Sequence, residues 1–162
     1  MARQDDGQAS AGGGFGYSLS KTTQLWRGEV GEALRPWGVT VPQFLVLMEL
    51  YRPARHGWPA PQQSSVAARL GMDANTTSQI VRGLESRGVL VRASHPTDRR
   101  ARVLSLTDAG LGLARVTSAA ARSTNDQFFG VLSPENREVL GALLDSLTAQ
   151  SRTRNEQKED ES

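Results

Sequence analysis

The sequence contains no cysteine and only two histidines among its 162 residues. Without cysteine there can be no disulfide framework, no thiolate nucleophile, no thiol redox switch and no cysteine-based zinc site. His56 and His95 lie far apart in predicted loops, and neither belongs to a catalytic triad, a glycine-rich phosphate loop or a pair of carboxylates at catalytic spacing. We therefore predict a protein that is not an enzyme and that has no cofactor and no metal.

Long hydrophobic runs are also missing. No segment of about 18 apolar residues is present, and residues 1–16 are polar and glycine-rich rather than a basic segment followed by an apolar one. Hydrophobic residues make up 38% and charged residues 22% of the chain, which is enough to bury a core and keep the surface solvated. We expect a soluble, cytoplasmic protein without a membrane partner.

The composition divides the chain into one folded unit and two tails. Residues 1–16 and 151–162 carry no periodic apolar positions, so we predict disordered N-terminal and C-terminal tails there. Between them we find no internal repeat and no long Pro/Gly linker. One domain is expected over residues 17–150.

Apolar periodicity and capping residues predict six helices and one β-hairpin in this domain. Thr40 and Gln43 have the spacing of a capping box, and Asp73 and Thr107 are each placed to cap a helix. The predicted helices extend over about 18–35, from Thr40 to about Tyr51, over 64–70, 74–87 and 107–129, and from Ser133 onwards, with strands over 89–93 and 102–106.

The predicted helix over 74–87 has two different faces. One face carries apolar or small residues at helical spacing: Thr77, Ile80, Val81 and Leu84. The other face carries short hydrogen-bonding side chains and lacks the Glu/Lys pairs of an ordinary solvated helix: Asn75, Thr76, Ser78, Gln79 and Arg82. This second face is suited to contact a polar partner.

Positive charge is concentrated between Arg82 and Arg102. Six arginines and two carboxylates in this segment give a local balance of +4, whereas the whole chain carries +2. Two short helices joined at Gly71 and followed by a hairpin form a winged helix-turn-helix, and its second helix has the size to enter the major groove of DNA. The clustered arginines favour nucleic-acid binding over the alternative of a merely solvated face.

These segments resemble the MarR family of bacterial transcriptional regulators. The similarity lies in Val66-Ala67-Ala68-Arg69-Leu70-Gly71, in residues 75–81 and in residues 84–92. Asp98-Arg99-Arg100, five residues and then Leu106-Thr107 match the family's D-x-R-x5-L-T signature, and Gly110 follows. Two departures from the family are Gln62, where a threonine usually caps the third helix, and Gly83 inside the fourth.

The resemblance implies a mainly α fold with a small β-hairpin wing. A winged helix-turn-helix domain would be joined to a helical dimerisation region, with dimerisation helices over about 18–35 and 107–149 and a DNA-binding region over about 62–106. It further implies a homodimer that binds double-stranded DNA at an inverted repeat and acts as a transcriptional repressor.

The resemblance also implies roles for individual residues. On the recognition helix, we take Asn75, Thr76, Ser78, Gln79 and Arg82 as DNA contacts, with Gln79 placed to read an adenine. On the wing, Arg100 matches the arginine that enters the minor groove, Asp98 orients it, and Arg99 and Arg102 meet phosphates. The alternatives remain that Asp98 only caps the turn and that Thr76 or Ser78 bonds back onto its own helix.

Many members of the family release DNA when a small aromatic or phenolic compound binds. The residues expected to form such a ligand pocket are Trp26, Arg27, Phe44 and Met48, together with Trp37 and Trp58. The alternative for each of them is ordinary core or dimer packing. Two rival functions stay open, namely a winged-helix adaptor that binds protein and a DNA-binding regulator without a small-molecule effector.

Overall fold

The computed structural model describes residues 14–95 and 102–160, with side chains through residue 150. Six α-helices and two β-strands follow each other along the chain. The helices are α1 (Gly14–Leu34), α2 (Val41–His56), α3 (Gln63–Leu70), α4 (Ala74–Ser86), α5 (Asp108–Phe128) and α6 (Pro134–Asp160), and the strands are β1 (Leu90–Ser94) and β2 (Arg102–Leu106). This architecture confirms the predicted fold class.

Local sequence signals explain where the helices begin. Thr40 and Gln43 form the predicted capping box at α2. Thr107 accepts a hydrogen bond from the amide of Gly110 and caps α5. Gln62, by contrast, begins α3 without a side-chain cap, as its departure from threonine suggested.

The last helix runs further than the composition indicated. It continues to Asp160, nine residues past the expected start of the C-terminal tail at residue 151, and α1 begins at Gly14, inside the predicted N-terminal tail. Arginine, glutamate, glutamine and lysine dominate residues 152–159, and these residues have high helix propensity. The polar composition of these residues therefore did not indicate where α6 ends.

One hydrophobic core holds the winged domain together. It includes Leu47 of α2, Val66 of α3, Leu84 of α4 and Leu104 of β2, which are at most 1% exposed. The two strands pair antiparallel with Leu90 opposite Leu106, and the amide of Leu104 donates to the carbonyl of Pro61 at 2.9 Å. No helix in the described part of the chain is long and apolar enough to cross a membrane.

Candidate nucleic-acid interface

A tight turn sets the angle between α3 and α4. Gly71 has a φ of 62°, a left-handed conformation that glycine adopts without steric cost. Met72 donates its amide to the carbonyl of Ala67 at 3.0 Å, and Asp73 then caps α4 by accepting the amide of Thr76 at 2.8 Å. Hydrogen bonds from the side chain and the amide of Thr76 hold the pKa of Asp73 below its ordinary value, so the carboxylate stays charged at the positive end of the helix.

The inner face of α4 anchors the helix in the core. Thr77, Val81 and Leu84 are fully buried, and the hydroxyl of Thr77 donates to the carbonyl of Asp73 at 2.9 Å. These residues and the half-buried Ile80 are those that the apolar spacing predicted. Because this face is fixed, the opposite face has a defined orientation.

The outer face of α4 is polar and accessible. Asn75, Thr76, Gln79 and Arg82 are exposed, and Ser78 is half-buried. The hydroxyl of Thr76 donates to the other carboxylate oxygen of Asp73 at 2.6 Å, so this side chain is engaged in the cap. The side chains of Asn75, Gln79 and Arg82 make no hydrogen bond or ion pair with any other described residue.

The arginines between Arg82 and Arg102 have different bonding partners. Arg87 donates to the carbonyls of Gly38 at 2.8 Å and Trp37 at 3.0 Å, and Arg92 donates to the carboxylate of Glu85. The hydrogen bond from Arg92 lowers the pKa of Glu85. Arg87 and Arg92 therefore bind other parts of the same domain. The neighbouring sequence did not indicate this structural role.

The hairpin projects next to α4. Arg102 is exposed on β2 and donates to the hydroxyl of Ser94, its cross-strand partner, at 2.8 Å. Asp98, Arg99 and Arg100 lie outside the described residues. At the base of the hairpin, the hydroxyl of Thr107 donates to the carbonyl of Gly88 at 2.7 Å and so ties α5 to the start of β1.

The residues predicted to form a ligand pocket differ in burial. Phe44 is 8% exposed and belongs to the core, Met48 and Trp26 pack against that core, and Arg27 is exposed. Of these four residues, Trp26 lines an apolar groove of about 330 Å³, and its indole nitrogen donates to Asn125 at 2.8 Å. Apolar spacing alone does not distinguish a core position from a pocket wall. The groove is also lined by Leu19, Thr22, Thr23, Phe129, Leu140 and Leu144.

Sequence comparison identifies the family. The sequence profile of the MarR family matches residues 37–101, a range that includes α2, α3, α4 and β1. The HTH-type transcriptional regulator YdcH of Bacillus subtilis is 34% identical over 133 residues, which cover 82% of this chain and 88% of YdcH. The chain belongs to the MarR family. It is a DNA-binding transcriptional regulator with a winged helix.

Solved structures agree with the family assignment. A MarR-family regulator from Rhodococcus sp. RHA1 is similar with a TM-score of 0.78 and 26% identity, covering 87% of this chain and 96% of that one. The repressor CouR bound to a 23-mer DNA duplex is similar with a TM-score of 0.71 and 30% identity, covering 82% and 91% of the two chains. CouR from Rhodococcus jostii RHA1 is also known in complex with p-coumaroyl-CoA, a structure that covers 87% of this chain and 96% of CouR with a TM-score of 0.76 and 24% identity.

Proposed function

We propose that this MarR-family regulator is a homodimeric repressor that binds an inverted-repeat operator and has no enzymatic activity of its own. The observation that carries the proposal is the outer face of α4, where the side chains of Asn75, Gln79 and Arg82 are exposed and bond to no residue within 14–95 or 102–150. A face that is held rigidly by the core and leaves its hydrogen-bonding groups unused is suited to read base edges. An adaptor that binds protein would be expected to present apolar side chains there instead.

In this proposal α4 lies in the major groove. Gln79 pairs with an adenine through its carboxamide, Arg82 reaches a guanine or a phosphate, and Asn75, Thr76 and Ser78 contact the neighbouring backbone or bases. Thr76 contributes through its methyl group and its hydroxyl oxygen, because its hydroxyl hydrogen is directed at Asp73.

The hairpin provides a second point of contact. Arg100 enters the minor groove with Asp98 orienting it, while Arg99 and Arg102 contact phosphates. The bond from Arg102 to Ser94 places the Arg102 guanidinium on an exposed edge of the hairpin, where a phosphate can be reached. The likeness to CouR, which has been solved on duplex DNA, supports these assignments.

Dimerisation would use α1 and α6. Along α6 only Leu140 is half-buried within the described side chains, while Val139, Leu143 and Leu147 are each more than half exposed. Leu19 and Leu25 of α1 are likewise more than half exposed. Pairing these surfaces across a two-fold axis removes them from water and places the two recognition helices about one helical turn of DNA apart, roughly 34–36 Å.

A small aromatic or phenolic ligand would release the operator. The groove beside Trp26 is mainly apolar, and its polar wall residues are Thr22, Thr23 and Asn125. The crystal structure of CouR bound to p-coumaroyl-CoA supports an aromatic effector, since that ligand carries a phenolic ring. In this proposal the ring packs on Trp26 and the effector competes for the hydrogen bond to Asn125.

Footprinting on the gene's own promoter region tests the proposal. We expect a protected inverted repeat, and a binding constant whose logarithm falls linearly with the logarithm of salt concentration, with a slope of about −0.9 for each phosphate neutralised. Gln79→Ala should relax the base preference at one position of each half-site, and Arg100→Ala should weaken binding with the fold intact. Arg52→Ala, at an exposed position of α2, is the control.

Two results would oppose the proposal. Absence of a protected repeat at low ionic strength would exclude an operator in that region, and a binding constant independent of salt would favour the adaptor function. An Arg100→Ala variant that is unfolded by circular dichroism would show that this arginine supports the fold instead of contacting DNA.

A further inference from the structure

A polar cleft lies between the C-terminal part of α2 and α5. It has a volume of about 650 Å³, within the range of ligand-binding clefts. Two residues from the last turns of α2 and seven from α5 line it: Tyr51, Arg55, Arg115, Ser118, Ala119, Arg122, Ser123, Asp126 and Gln127. None of these residues belongs to the face of α4 or to the groove beside Trp26.

Three arginines dominate the charge of this cleft. Arg55, Arg115 and Arg122 are exposed, and none of them forms an ion pair with a described residue. The guanidinium carbon of Arg55 lies 5.7 Å from the centre of the Tyr51 ring, an arrangement that holds this side chain over the cleft. Asp126 is the single carboxylate in the lining, so the cleft has a net positive charge.

The floor of the cleft is built from small residues. Ser118 and Ala119 lie between Arg115 and Arg122 on α5, and Ser123 follows Arg122. These small side chains leave room above the helix, and the two serines offer hydroxyl groups. Arg115 and Arg122 are seven residues apart and share a helix face. The lining from Arg115 to Asp126 extends about 16 Å along the helix axis, which exceeds the size of one phosphate and suits an elongated molecule.

We propose that this cleft binds a small molecule bearing a phosphate group, with the phosphate held by Arg55, Arg115 and Arg122 and its far end directed toward Asp126 and Gln127. Guanidinium groups bind phosphate oxygens through paired, charge-assisted hydrogen bonds. Asp126 accepts hydrogen bonds, and it therefore selects for hydroxyl or amino groups at the other end of the ligand. The ligand is thus a free phosphate or, preferentially, an organic phosphate of nucleotide size.

The phosphates of DNA are a less suitable occupant. The cleft is concave and its lining includes the carboxylate of Asp126, which repels a continuous polyanion. The inference does not depend on operator binding, because it concerns a different surface and its ligand can be measured directly.

Calorimetric titration of the full-length protein with adenosine 5′-monophosphate in phosphate-free buffer tests the site. We expect saturable binding that Arg115→Gln or Arg122→Gln weakens about tenfold or more, because each loses a charge-assisted contact. Arg52→Gln is the matched control, since Arg52 is exposed on α2 one turn from Arg55 and does not line the cleft. Circular dichroism checks that each variant is folded.

Two further titrations identify the source of the phosphate. Inorganic phosphate binding as tightly as the nucleotide would identify free phosphate as the ligand, and tighter binding of the nucleotide would identify an organic phosphate. Adenosine binding as tightly as the nucleotide, or equal loss in the Arg52→Gln control, would overturn the proposal. The proposal would also be overturned if the nucleotide did not bind and the arginine variants bound the operator more weakly. That result would assign the cleft to the DNA backbone.

Discussion

Gly110 illustrates how one residue fixes the base of the wing. A Cβ atom at this position would lie 1.9 Å from the carbonyl oxygen of Val89, a distance that no packing adjustment of side chains can relieve. That carbonyl also accepts the amide of Thr107 at 3.1 Å, and the Thr107 hydroxyl caps α5 while contacting Gly88. The start of β1 and the start of α5 are therefore joined at a point where only glycine allows the backbones to approach.

We predict that Gly110→Ala lowers the free energy of unfolding by about 3 kcal/mol or more, because the added methyl group forces two backbone segments apart. Gly112→Ala is the control, since it lies on the same helix and a Cβ there would meet nothing within 4 Å. That control should raise stability by up to about 1 kcal/mol through helix propensity. Urea unfolding at one protein concentration measures both variants, and equal effects would show that the approach to Val89 does not constrain the wing.

At the scale of an element, the C-terminal end of α4 is connected to the segment between α1 and α2. Arg87 follows the last residue of α4 and donates to the carbonyls of Trp37 and Gly38, in the short linker that joins α1 to α2. A displacement of α1 would thus be transmitted to the end of the recognition helix. This bond gives Arg87 a structural function, whereas Arg82, about one and a half turns earlier, is exposed and forms no ion pair with the residues that the structure describes.

We predict that Arg87→Ala and Arg82→Ala separate stability from DNA affinity. Arg87→Ala should reduce the free energy of unfolding by about 1 kcal/mol through the loss of two exposed hydrogen bonds. Arg82→Ala should leave stability unchanged and weaken operator binding by about 1–3 kcal/mol. Chemical unfolding and fluorescence anisotropy on the same samples give the two values. An Arg82→Ala variant with unchanged affinity would remove this residue from the interface.

Sequence reasoning predicted the elements well because their signals are local. The caps at Thr40, Asp73 and Thr107 each involve partners three residues away, and all three are confirmed. The bond of Arg87 to the α1–α2 linker joins residues 49 and 50 positions apart, and no local pattern encodes such a contact.

The ligand-pocket prediction was limited for a related reason. Helical spacing showed that Phe44 and Met48 share a face, but the direction of that face is decided by the packing of α2 on the winged domain. The bond between Trp26 and Asn125, 99 residues apart, likewise depends on how α1 packs on α5.

At the scale of the whole molecule, α6 is the element that the protomer leaves without a partner. Its described side chains from Pro134 to Gln150 are exposed apart from half-buried Leu140, and they form an apolar stripe at helical spacing. A 27-residue helix with such a stripe is not stabilised by the winged domain alone. In the proposed homodimer, a second copy of the chain covers this stripe and sets the spacing between the two copies of α4.

We predict that Leu143→Glu converts the dimer to a monomer, because a carboxylate would be buried where a leucine that is 58% exposed in the protomer meets its partner. Light scattering should show the mass falling from twice 17.5 kDa to 17.5 kDa, and operator affinity should fall about a hundredfold or more as the second half-site is lost. Asp145→Asn changes charge by the same amount about 200° around the helix and should alter neither quantity. A Leu143→Glu variant that remains dimeric, with full operator affinity, would exclude this stripe from the interface.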